Sequence, residues 1–119
     1  MKKAEYHILC KNGIVKVTGY IMDGKPLSWS DTWNDTHYVG IHKLNNGKWG
    51  LDDINTGLSL TPKEYKTKRA AQEDLENVYL PKLHALWFSA RYKQQAWDFT
   101  CKMNKYENKQ RRKEKTNDR

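Results

Sequence analysis

The residues best equipped for chemistry gather at the C-terminal end of the chain. Lys102, Lys105, Lys109, Arg111, Arg112, Lys113, Lys115 and Arg119 face only Glu107, Glu114 and Asp118, so the last eighteen residues carry +5 of a net +8. All five Arg, at 69, 91, 111, 112 and 119, lie in the second half. Guanidinium suits bidentate contact with phosphate, and a concentrated terminal block of Lys and Arg is the electrostatic footprint of an arm that engages nucleic acid or an acidic protein surface. The plainer reading is a solvated helix end whose cations complement the negative end of the helix macrodipole. Trp29 and Trp33 stand four apart in a loop rich in Ser and Asp, which offers two indoles little cover. Exposed beside cations, such rings stack on unpaired bases. The expected binding residues for nucleic acid or another partner are Arg91, Lys102, Lys105, Lys109, Arg111, Arg112, Lys113, Lys115, Trp29 and Trp33.

Other constellations carry less chemistry. His7 and Cys10 have the spacing of half a zinc site, but no second arm follows, and an odd offset points them to opposite faces of a strand. His37, His42 and His84 form no close pair, so neither a metal nor another cofactor is expected. Asp52-Asp53 with Glu64-Tyr65-Lys66 resembles the Asp and Glu-x-Lys arrangement of one class of metal-dependent nucleases, in which two acids hold Mg²⁺ and the Lys steadies the attacking water. In that family the Glu and Lys sit on a buried apolar strand, whereas Pro62 to Lys66 reads as a polar loop. There is no Gly-rich phosphate loop, no Gly-x-Ser-x-Gly elbow and no Cys/His dyad. No catalytic residue is assigned, and a protein that binds rather than catalyses is expected.

What positions these residues follows from hydrophobic periodicity. In 119 residues there are only 21 Ile, Leu, Val and Phe, which with +8 leans toward disorder, but five Trp and seven Tyr supply compensating apolar area. Trp49, Trp87 and Trp97 are therefore expected in the core. The run from Tyr6 to Cys10, the Asn12-Gly13 turn and the β-branched stretch Ile14 to Met22 predict an antiparallel hairpin. Residues 25–35 read as a surface loop. Residues 36–44 and 49–54, joined by Asn45-Asn46-Gly47-Lys48, predict a second hairpin, and Leu58-Ser59-Leu60 a short fifth strand after Asn55-Thr56-Gly57.

After Pro62 the period changes from about 2 to about 3.6. Thr67 is placed to cap a helix carrying Ala70, Ala71, Leu75, Val78 and Tyr79, and Pro81 either opens a second helix or kinks a single one. Ala85, Phe88, Tyr92, Ala96, Phe99, Met103 and Tyr106 step by three or four, with Leu83, Trp87, Ala90, Trp97 and Cys101 in an adjacent row. Together they predict one broad apolar face on a helix running to about Lys113. The fold class is α+β: an antiparallel sheet of four or five strands covered by two C-terminal helices, the last long with a basic tail. Residues 1–103 are expected as one domain and 104–119 as a basic helical extension or disordered tail.

No apolar run reaches the roughly 20 residues of a bilayer span, and no signal-peptide core follows Lys2-Lys3, so a cytoplasmic protein that does not enter a membrane is expected. Cys10 and Cys101 are expected reduced and packed. Trp49-x₂-Asp52-x₃-Thr56-Gly57-Leu58-x-Leu60, followed by Thr67-x₂-Ala70-Ala71 and a helix, resembles the strand, Thr-Gly turn, strand and helix of small accessory and anti-CRISPR proteins of phages and mobile elements. The resemblance covers about residues 48–80. It implies a core face of Trp49 and Leu58, a close helix contact through Ala70 and Ala71, and a binding protein that inhibits a host defence effector such as CRISPR-Cas. With the basic terminus, the leading expectation is engagement of nucleic acid or a nucleoprotein complex. The alternatives are a protein-interaction module or homo-oligomer packing through the apolar helix face, and a small metal-dependent nuclease.

Overall fold

The computed structural model describes residues 1–23, 38–86 and 89–117, with side chains up to Arg112. The expected loop at 25–35 with Trp29 and Trp33 lies outside the described residues, as do Trp87 and Phe88. Five strands form a single antiparallel meander in chain order: β1 (Lys2–Cys10), β2 (Gly13–Asp23), β3 (Tyr38–Lys43), β4 (Trp49–Asp53) and β5 (Leu58–Ser59). The predicted hairpins are present, with Leu9 opposite Ile14 in the first and Ile41 opposite Leu51 in the second. The sheet curls, and its ends meet where the Leu9 N–H donates to the Gly57 carbonyl at 2.7 Å.

Helix α1 (Lys68–Asp74) begins where expected, with the Thr67 hydroxyl accepting from the Ala70 N–H at 3.1 Å. The chain does not break at Pro81. A π-helical turn at Leu75–Tyr79 leads into α2 (Leu80–Leu86), and the Leu80 N–H bonds the Leu75 carbonyl. Proline lacks an N–H and its ring presses on the carbonyl four residues back, and a widened turn ahead of it accommodates both. The interruption comes later. Ser89 caps the long α3 (Ala90–Asn117), its Oγ accepting from the Tyr92 N–H at 3.1 Å, so the expected second helix is two helices rather than one.

Alternation along β3 and β4 gives the sheet two chemically different faces. Val39, Ile41 and Leu51 are fully buried on one face against Ala71, Leu75, Leu83 and Tyr92, with Trp49 packed at the margin. The other face carries His42 and Asp52, with the Tyr6 ring lying over Gly40, where a Cβ would come within 2.7 Å of the ring.

Several expected core positions are corrected. Trp97 is 65% exposed and Ala90 is exposed, because α3 docks along one narrow row, Tyr92, Phe99 and Tyr106, and not over the broad face predicted. Seven-residue spacing keeps that row nearly in line, while Trp97 falls on the far side. Leu58 and Ala70 are also exposed, so the Thr-Gly motif contributes Trp49, Gly57 and Ala71 to packing. Cys10 is exposed and Cys101 half-buried, both unbridged.

Candidate nucleic-acid interface

Helix α3 is a rod of 28 residues, about 42 Å long at 1.5 Å per residue. Three aromatic contacts seat it. The Tyr92 hydroxyl donates to Asp53 Oδ2 at 2.7 Å, the Phe99 ring lies on Gly57, and the Tyr106 ring meets His7 edge-on at 5.4 Å. Gly57 has φ +71°, and a Cβ there would strike Phe99, so the turn both needs glycine for its conformation and leaves the space that the ring fills. Half-buried Ala96, Met103 and Gln110 extend the seated side.

The basic residues line a flank of this rod. At 100° per residue, Lys102, Lys105, Lys109 and Arg112 have spacings of three, four and three and fall within an arc of about 80° beside the seated row. All four are exposed. Lys102, Lys105 and Lys109 make no ion pair with a carboxylate among the described residues. Arg91 lies on the same flank about three turns before Lys102, separated from the stripe by Asp98, which accepts from Gln94 Nε2 at 2.9 Å. Arg111 lies on the opposite flank with Glu107. Lys113 and Lys115 belong to α3 by backbone, and their side chains lie outside the described residues. The helix holds nine Lys and Arg against three Asp and Glu, so the positive field runs along its exposed length.

A second cationic feature, smaller and separate, sits on the sheet. The Lys68 ammonium lies 3.4 Å over the ring of Tyr20, which tilts against Trp49 with centroids 6.3 Å apart. Both rings are half-buried, so Lys68 occupies the face of Tyr20 that a base would need.

The acidic residues that resembled a nuclease set do not converge. Asp52 and Asp53 are each 3% exposed and, as neighbours on β4, point to opposite faces. Asp52 accepts from the Tyr6 hydroxyl at 2.7 Å and from His42 Nδ1 at 2.5 Å. Asp53 accepts from Tyr92 and, through Oδ1, from the Asn55 N–H at 3.0 Å. Burial pushes the Asp53 carboxyl above its ordinary value, although hydrogen bonds from Tyr92, Asn55 and Thr56 oppose the shift. Burial, with the carboxylate of Asp52 beside it, likewise raises the Tyr6 hydroxyl. Glu64 is on the surface, 3.8 Å from Lys48, and Lys66 is exposed beyond it. Among the described residues no three His, Cys, Asp or Glu side chains are grouped to hold a metal ion. Tyr6, His42 and Asp52 therefore act as a polar tie between β1 and the central strands, bonded to one another and shielded from solvent.

Two features escaped sequence reading. The Tyr6–His42–Asp52 tie joins residues 46 apart, which no local pattern reveals. The confinement of Lys102, Lys105, Lys109 and Arg112 to one flank is present in their spacing and becomes visible only once the helix and its docked side are defined. No described helix is long and apolar enough to cross a membrane. No family model, curated protein or solved structure matches this chain.

Proposed function

We propose that the protein binds nucleic acid, alone or within a nucleoprotein complex, through the exposed flank of α3, and that it does so without catalysing a reaction. One observation carries this reading: Lys102, Lys105, Lys109 and Arg112 stand in a single exposed stripe on a helix whose adjoining side is held by Tyr92, Phe99 and Tyr106. A merely solvated helix end needs no such register. A row of cations at helical spacing presents a linear charge array, and the partner that matches it is a polyanion with regularly spaced charges. The contacts are to phosphate, so they confer affinity and orientation rather than base sequence.

If the four cations each displace a counterion, log affinity for duplex DNA should fall against log salt with a slope of roughly −3 to −4. The test is fluorescence anisotropy of a labelled oligonucleotide between low and moderate salt, comparing wild type with the combined Lys102→Gln, Lys105→Gln and Lys109→Gln variant. Wild type should show that slope and the variant should lose about three quarters of it, with an unchanged far-UV spectrum. Equal affinity and slope for the two proteins would remove the stripe from the account.

A further inference from the structure

Resting on the nucleic-acid reading of α3, we infer that the strand it receives is single, with an unpaired base stacked on Trp97. Trp97 is the most exposed of the large apolar side chains among the described residues, at 65%. It is not part of the core cluster among the described residues, and it lies on the side of α3 away from the seated row. Its position relative to the cations is what gives it meaning. Trp97, Cys101 and Lys105 follow one another at intervals of four, each step turning about 40°, so the indole stands about 80° round the helix from Lys105 and about 12 Å of helix rise before it. A single strand that follows Lys109 and Lys105 and winds round the rod toward the helix N-terminus brings its next bases to this ring.

The form of nucleic acid follows from what each feature can recognise. Phosphate contacts are indifferent to strandedness, because both forms present a charged backbone. An indole face is not. In a duplex the base faces are covered by their neighbours and only the edges are open, whereas a single strand offers a π-face at every nucleotide. Aromatic rings interleaved with a basic track are the usual construction for binding unpaired strands without sequence preference. The Lys68–Tyr20–Trp49 cluster does not compete for this role, since its rings are half-buried and the Tyr20 face is taken.

The experiment measures affinity for a labelled oligo-dT 12-mer and for a 12-base-pair duplex at one salt concentration. Four proteins are compared: wild type, Trp97→Ala, Trp97→Phe and the combined Lys102→Gln, Lys105→Gln and Lys109→Gln variant. Trp97→Ala should weaken single-strand binding by about 5- to 150-fold, the range for loss of one stacked base, with duplex binding unchanged and Trp97→Phe recovering part of the loss. The triple variant should weaken both substrates. Single-strand affinity unaffected by Trp97→Ala but lost in the triple variant would overturn the stacking inference and leave the phosphate reading standing. Wild type binding neither substrate would overturn both. A wild type that sediments as a dimer while Trp97→Ala is a monomer with full single-strand affinity would reassign Trp97 to self-association and also overturn the inference.

Discussion

Replacing Gly57 by Ala tests whether α3 is seated as described, because its cost divides into two parts that a second mutation separates. Gly57 has φ +71°, where a residue with a Cβ is disfavoured by about 1–2 kcal/mol. The added methyl would also come within 2.6 Å of Phe99 Cζ and 2.7 Å of Cδ2, an overlap that forces ring or backbone to move at about 1–3 kcal/mol. Gly57→Ala in the wild-type background should therefore cost about 2–5 kcal/mol. Phe99 is 7% exposed, and Phe99→Ala alone should cost about 3–5 kcal/mol. In the Phe99→Ala background the overlap vanishes and Gly57→Ala should cost only the conformational 1–2 kcal/mol or so. Urea denaturation followed by far-UV circular dichroism supplies all four corners of the cycle, with Phe99→Leu substituted if Phe99→Ala leaves too little folded protein. Equal costs in the two backgrounds would show that the ring does not rest on this turn and would refute the seating of α3.

Other perturbations reach different parts of the structure. Asp53 has a folded pKa raised above its ordinary 3.8, so the folded protein holds its proton to higher pH than the unfolded chain does; wild type should gain stability relative to Asp53→Asn as pH falls through that window, measured by denaturation midpoints from pH 7 downward. A constant difference across that range would contradict the burial argument. Tyr6→Phe removes one donor to the buried Asp52 and should lower stability by about 1.5–3 kcal/mol in the same assay, while an unchanged midpoint would show that the tie to β1 contributes nothing. Ser89→Ala removes the cap of α3 and should cost about 0.5–2 kcal/mol, with Ser89→Asp restoring most of it; a neutral Ser89→Ala would place the helix start elsewhere.

The strands were legible because their signals are local. Asn12-Gly13 and Asn46-Gly47 mark the turns, and alternation between them sets register, so both hairpins follow from short stretches of chain. Thr67 as a cap was legible for the same reason. The helices were read less well where a tertiary choice decided the outcome. A row with Tyr92, Phe99 and Tyr106 and a row with Ala90, Trp97 and Cys101 both have helical spacing, and the glycine at position 57, the acceptor on Asp53 and the His7 ring select the first for docking. That selection places Trp97 in solvent, where size and hydrophobicity alone argued for burial. At Pro81 the sequence leaves a new helix and a kinked continuous one both open, since the widened turn at Leu75–Tyr79 that lets the helix continue has no sequence signature of its own. Of the expected site, Arg91, Lys102, Lys105, Lys109 and Arg112 share a flank and Arg111 does not, a division that emerges once α3 is known to start at Ala90 and to dock through Tyr92.

The central claim is that α3 presents its basic flank to nucleic acid while its aromatic row holds it to the sheet. Backbone amide chemical-shift mapping on titration with an oligonucleotide tests this most directly, because it reports every position at once. The largest changes should centre on Lys102, Lys105, Lys109 and Arg112 and extend toward Trp97, with Tyr6, His42, Asp52 and the β-hairpin turns unmoved. Changes centred on Tyr20, Trp49 and Lys68, or a spectrum unaltered at saturating oligonucleotide, would contradict it.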